Sequence, residues 1–112
     1  MSPRMGEVRV TARLTNAGDE ALVRRGMLSP DRVRRCEADA LVDTGAVRTV
    51  VPQHIALLLG LGLRGQRTAE YADGRTEAVG VTEALVVELQ DRDTLEEALV
   101  LGDEVLIGQT VL

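Results

Sequence analysis

Hydrophobic and polar positions alternate through residues 7–15, with Val8, Val10, Ala12 and Leu14 on one side and Glu7, Arg9, Thr11 and Arg13 on the other. A period of two is the signature of a half-buried strand. Asn16, Gly18 and Asp19 then supply turn chemistry. Residues 20–35 have no clean period. Ser29-Pro30-Asp31 suits the start of a short helix and Arg32-Val33-Arg34-Arg35 suits a strand, so this segment reads as a connection. From Val33 to Val42 the pattern is again that of a strand, and it runs straight into Asp43. Val47 to Val51 is rich in β-branched residues and predicts another strand. Pro52 ends sheet pairing and fits the first turn of a helix. The buried face of that helix is expected to carry Ile55, Leu58 and Leu59, with a left-handed cap at Gly60 or Gly62.

In the second half, Asp73-Gly74 lies between residues able to form strands, a strong short-range sign of a tight hairpin. Val79, Val81, Leu85, Val87 and Leu89 then alternate with more polar positions, and Asp91-Arg92-Asp93 is expected to turn the chain. Residues 94–101 admit two readings. Thr94 and Glu97 have capping-box spacing, while Ala98 to Leu101 suits a strand. Val105 to Gly108 is a short apolar run after the Gly102-Asp103 break. Strands far outnumber helices, so the expected class is all-β with one short α-helix and no internal repeat.

Composition narrows the function. A chain of 112 residues fits one domain, 1–112, and its balance of 45% hydrophobic to 28% charged residues excludes both a membrane bundle and a disordered chain. The net charge is -5 and the one aromatic residue is Tyr71, which argues against a nucleic-acid partner. The basic pairs Arg24-Arg25 and Arg34-Arg35 read as solvated surface charge. With Cys36 and His54 each alone, one chain can form neither a disulfide nor a Cys/His metal cluster, so neither metal nor cofactor is expected. No run approaches the ~20 apolar residues of a membrane span, residues 1–7 do not resemble a signal peptide, and a cytoplasmic location is expected. Gly60, Gly62 and Gly65 have the G-x-G-x-x-G spacing, but that motif needs a strand before it and a helix after it. Here the glycines follow a predicted helix, so no nucleotide site is expected.

Asp43 is the candidate with chemistry attached. Asp-Thr-Gly alone is an ordinary turn sequence. Here it follows Leu41-Val42, precedes Ala46, and is succeeded by Thr49-Val50-Val51-Pro52 leading into a helix. With these additions the chain resembles the retropepsin-like aspartic proteases from about Val8 to Leu112. Leu41 to Ala46 is similar to their catalytic signature, Tyr71 to Gly80 to their flap hairpin, and Val105 to Leu112 to their second hydrophobic-Gly motif. The resemblance implies a single-domain retropepsin-like (acid protease) β-barrel. It also implies that Asp43, Thr44 and Gly45 form the catalytic loop, with Thr44 gripping the partner loop and Gly45 allowing close substrate approach. Ala46 would floor the pocket, and Tyr71, Ala72, Asp73 and Gly74 would contact substrate from the flap.

Hydrolysis by this route uses two carboxylates sharing one proton across a water. The chain has a single Asp-Thr-Gly, so the resemblance implies a homodimer that brings Asp43 against its copy on a two-fold axis and cleaves a polypeptide substrate. Two features depart from the family pattern. Val47 and Gln109 stand where retroviral members commonly carry an acidic residue and an arginine, and the sequence stops at Leu112, before the terminal helix and strand of family members. The alternative reading is a non-catalytic peptide-binding or dimerisation module of the same fold, and a third is an unrelated small β-barrel.

Overall fold

A computed structural model describes residues 7–43, 48–90 and 92–108. Among these residues there are nine strands: β1 (Glu7–Asn16), β2 (Arg35–Asp43), β3 (Val50–Val51), β4 (Leu63–Glu70), β5 (Thr76–Thr82), β6 (Leu85–Leu89), β7 (Arg92–Glu96), β8 (Leu99–Val100) and β9 (Val105–Ile107). Two short helices, α1 (Ala17–Arg24) and α2 (Gln53–Leu58), and a 3-10 turn at Pro30–Arg32 complete the described elements. The strands form one mixed sheet in the order β4-β5-β8-β3-β9-β2-β1-β6-β7, curled into a half-barrel. The mainly β expectation holds at that level. The single-helix expectation does not, because α1 occupies part of the segment read as a connection.

The core is aliphatic and built from the predicted periodicities. Val79, Val81, Leu85, Val87 and Leu89 are all buried. In β1 the apolar face is buried only at one end, where Ala12 and Leu14 are inaccessible while Val8 is 56% exposed. In α2 the buried side chains are Ile55 and Ala56, joined by Leu59 at its C-cap, whereas Leu58 is exposed. Successive helical residues turn by about 100°, so a stripe centred on Leu59 leaves Leu58 on its flank. Gly60 has the left-handed conformation expected of it, φ 64°. Its N–H donates to Leu57 and that of Leu61 to Ala56, a Schellman ending. The glycines of the G-x-G-x-x-G spacing therefore join a helix end to the start of β4, the wrong context for a pyrophosphate.

α1 has a weak apolar face, and its one buried residue is Asp19. Polar contacts hold it instead. The Asn16 side-chain oxygen accepts the Asp19 N–H at 3.0 Å, capping α1, while the Asn16 amide donates to the Leu59 carbonyl at the end of α2, 2.8 Å away. Arg34 grips Asp19 with Nε at 2.9 Å and Nη2 at 3.0 Å, and its backbone N–H adds a third bond at 3.0 Å. Residues 94–101 resolve into β7 and β8, not a capped helix. The turn before β7 falls earlier than expected, because Leu89 already faces Arg92 in register. Of the strand expected over Val47 to Val51, Val47 lies outside the described residues, Arg48 and Thr49 are not in a strand, and Val50–Val51 form β3.

Hydrogen bonds from the Arg34 guanidinium hold the Asp19 carboxyl below the usual carboxylate range, against the opposing effect of burial. A carboxyl with a depressed folded-state pKa contributes its stability above the unfolded value of ~3.9 and loses it as pH falls through the lower folded value. Arg34 is half exposed, so solvent screens part of the interaction. We expect Asp19→Ala to destabilise the protein by about 1–2 kcal/mol at pH 7 in urea denaturation. The difference from the parent should shrink below pH ~4.

Candidate functional site

Asp43 is the last residue of β2, and the strand's hydrophobic residues fix where it ends. Ala40 and Val42 point into the core. On one side β2 pairs antiparallel with β1, which sets Asp43 opposite Glu7. On the other it runs parallel to β9, with Ala40 opposite Val105, Leu41 opposite Leu106 and Val42 opposite Ile107. The backbone of Asp43 therefore lies in an interior strand of the sheet, one step beyond this parallel register. Thr44, Gly45 and Ala46, expected to complete the loop, lie outside the described residues, as do Val47 and Gln109.

The chain resumes on the far side of β9. Val50 in β3 pairs antiparallel with Leu106, so β9 is held between β2 and β3. Just beyond β9, Gly108 lies directly against the Arg48–Thr49 backbone, where an added Cβ would sit 2.7 Å from the Arg48 carbonyl carbon and 3.0 Å from the Thr49 nitrogen. Thr49 is fully buried and ties three segments together. Its hydroxyl accepts the Gly108 N–H at 3.4 Å and donates to Glu96 at 3.2 Å, while its carbonyl accepts the Leu99 N–H at 3.0 Å. The sequence marks 105–108 as an apolar run ending in glycine, but not the segment it packs against. No sequence signal pointed to Glu96.

The other expected site residues cluster at the β4–β5 hairpin tip. The Gly74 N–H donates to the Tyr71 carbonyl at 2.9 Å, and the Tyr71 N–H donates to the Arg75 carbonyl at 2.9 Å. Gly74 has φ 88°, a conformation that disfavours residues with a side chain. Asp73 accepts the Arg75 backbone N–H and its Nε, each at 3.0 Å, and the Arg75 guanidinium lies 4.7 Å above the Tyr71 ring. Residues 63–68 and 72–78 are exposed, so the hairpin stands clear of the core and is rooted in it only from Val79. Along the sheet, β8, β3 and β9 lie between this hairpin and β2. Tyr71, Ala72, Asp73 and Gly74 thus form one group and Asp43 another.

A concavity of about 630 Å³ is lined by Thr11, Arg13, Glu37, Glu88, Gln90, Arg92 and Asp93. It lies toward the other end of β2 from Asp43, and its arginines are balanced by acids. No group of His, Cys, Asp and Glu among the described residues is arranged to hold a metal ion. Crowding at Gly108 is a packing constraint at the end of β9, the parallel neighbour of β2. A methyl there must displace backbone, so Gly108→Ala is expected to cost about 1–3 kcal/mol in chemical denaturation. Gly65→Ala, which adds a methyl in open space, should change stability by less than about 0.5 kcal/mol. In comparisons with known proteins, no family model matches the chain and no curated protein matches it significantly.

Proposed function

We propose that the chain is a retropepsin-type aspartic endopeptidase, active as a homodimer in which the two Asp43 carboxylates jointly bind the attacking water. The observation that carries this reading is the position of Asp43 at the end of β2, with β9 parallel beside it and Gly108 pressed against the Arg48–Thr49 backbone. That arrangement supports a loop starting at a fixed point in the middle of the sheet, as a residue that must meet its two-fold copy requires. An exposed hairpin with an ordered tip also suits a cover for an extended polypeptide.

In the proposed mechanism one Asp43 is ionised and takes a proton from the water as it attacks the scissile carbonyl. The other is protonated and donates a hydrogen bond to the carbonyl oxygen, stabilising the negative charge that develops there. Two adjacent carboxyls cannot both ionise cheaply, so the pair loses its protons in two separated steps and activity follows a bell in pH. Thr44 would grip the partner loop, Gly45 would admit the substrate backbone and Ala46 would floor the pocket, with Tyr71 to Gly74 closing from above. This chemistry needs neither metal nor cofactor.

The test is cleavage of an unfolded protein substrate across pH, with sedimentation of the same samples. The parent should sediment as a dimer at micromolar concentration and cut the substrate. Asp43→Asn should keep the fold and lose at least about a hundredfold in rate. Equal cleavage by both proteins overturns the assignment. Capture of the peptide with no cleavage by either makes the chain a binding module instead.

A further inference from the structure

The structure carries a second feature, at the opposite end of β2 from Asp43 and independent of the endopeptidase reading. Residues 24–35 hold five arginines and one acid, a net +4 within a chain of net -5. Arg34 is committed to Asp19. Arg24, Arg25, Arg32 and Arg35 are exposed, and none forms an ion pair among the described residues, whereas Arg9, Arg13, Arg64 and Arg75 all do. The negative end of the α1 dipole accounts for Arg24 and Arg25. It does not account for Arg35, which opens β2, or for Arg32 in the 3-10 turn.

Arg24 and Arg35 line a groove of about 250 Å³ between α1 and the 3-10 turn, together with Glu20, Val23, Pro30 and Val33, and Arg32 belongs to that turn. Val23 and Val33 are half-buried apolar residues, with Arg24 and Arg35 exposed beside them. Glu20 is the one acid of the lining, and Met27, 70% exposed, stands in the loop that joins the two walls. Apolar lining beside unpaired guanidinium groups fits a ligand that is both aliphatic and anionic, because the valines and proline take hydrocarbon while arginine binds carboxylates in bidentate fashion.

We propose that this groove docks an acidic segment of a partner protein, inserting an aliphatic side chain between α1 and the 3-10 turn while flanking carboxylates meet Arg24, Arg32 and Arg35. Charge complementarity selects that partner. A nucleic acid would find no stacking aromatic here and would face repulsion from the rest of an acidic chain. The polar lock from Asn16 and Asp19 to Arg34 holds the two walls at a fixed separation, so little ordering is required on binding.

Fluorescence anisotropy at low ionic strength tests this with a labelled six-residue peptide alternating glutamate and leucine. Glutamate–serine and lysine–leucine peptides and an oligothymidylate serve as comparators. The glutamate–leucine peptide should bind best and weaken as salt rises. Arg24→Glu with Arg35→Glu should weaken it at least about tenfold, and the milder Arg24→Gln with Arg35→Gln should act in the same direction. Arg67→Glu with Arg92→Glu, which changes net charge equally at unpaired arginines elsewhere, should leave binding unchanged. Equal loss in that control overturns the proposal, as does equal binding of the glutamate–serine peptide or the oligonucleotide, or no binding at millimolar protein.

Discussion

The parallel pairing of β2 with β9 is the constraint on which the rest of the molecule depends. It joins Ala40 to Val105 across most of the chain, and parallel strands can be connected only by a long crossover. The intervening sequence fills that crossover with β3, α2, the β4–β5 hairpin and β6 to β8. Because β3 returns antiparallel on the other side of β9, the end of β9 is confined between two segments that flank the residues after Asp43. Crowding there leaves room for hydrogen alone at position 108, and buried Thr49 meets the Gly108 N–H with its hydroxyl. The place of the Asp43 backbone is thus set by sheet register, and that of the end of β9 by close packing.

A second, polar constraint governs the opposite end of β1. Asn16 serves two helices at once, its side-chain oxygen capping the start of α1 and its amide donating to a carbonyl left open at the end of α2. The Arg34 guanidinium reaches Asp19 by passing over Gly60, where an added Cβ would lie on top of it. Gly60 therefore has two reasons to lack a side chain: its left-handed backbone and the arginine across it. Since Arg34 is consumed in this lock, the neighbouring arginines are left to solvent or to a partner.

What could be read from the sequence was what local period and turn chemistry encode. The apolar positions of β5 and β6, the Asp73-Gly74 turn and the Gly60 cap follow from residue type and spacing alone. α1 did not, because its anchor is a buried carboxylate whose partner lies 15 residues away and has no periodic trace. Strand character was legible around Val50–Val51 and Leu99–Val100, but their parallel pairing with each other was not, since no window of sequence contains it. At the candidate site, the position of Asp43 after a buried run was legible. The reason for Gly108 was not, since its neighbour is the Arg48–Thr49 backbone on a distant segment.

The two parts of the proposed active site differ in how they are held, and the difference bears on what each can do. Asp43 follows core residues flanked by β1 and β9, a region whose opening requires much of the sheet to come apart. The hairpin has an ordered tip, with Tyr71, Asp73 and Arg75 bound to one another, yet its strands are exposed as far as Val79. Few buried contacts hold the outer hairpin to the rest of the sheet, a feature of the low-stability end of a fold. At its root, Leu63 lies against Gly80, where an added Cβ would sit 2.9 Å from the leucine methyl groups. A bonded tip on an exposed stem, with the Asp43 backbone fixed in the sheet elsewhere, is the division of labour that the proposed closure over an extended chain would use.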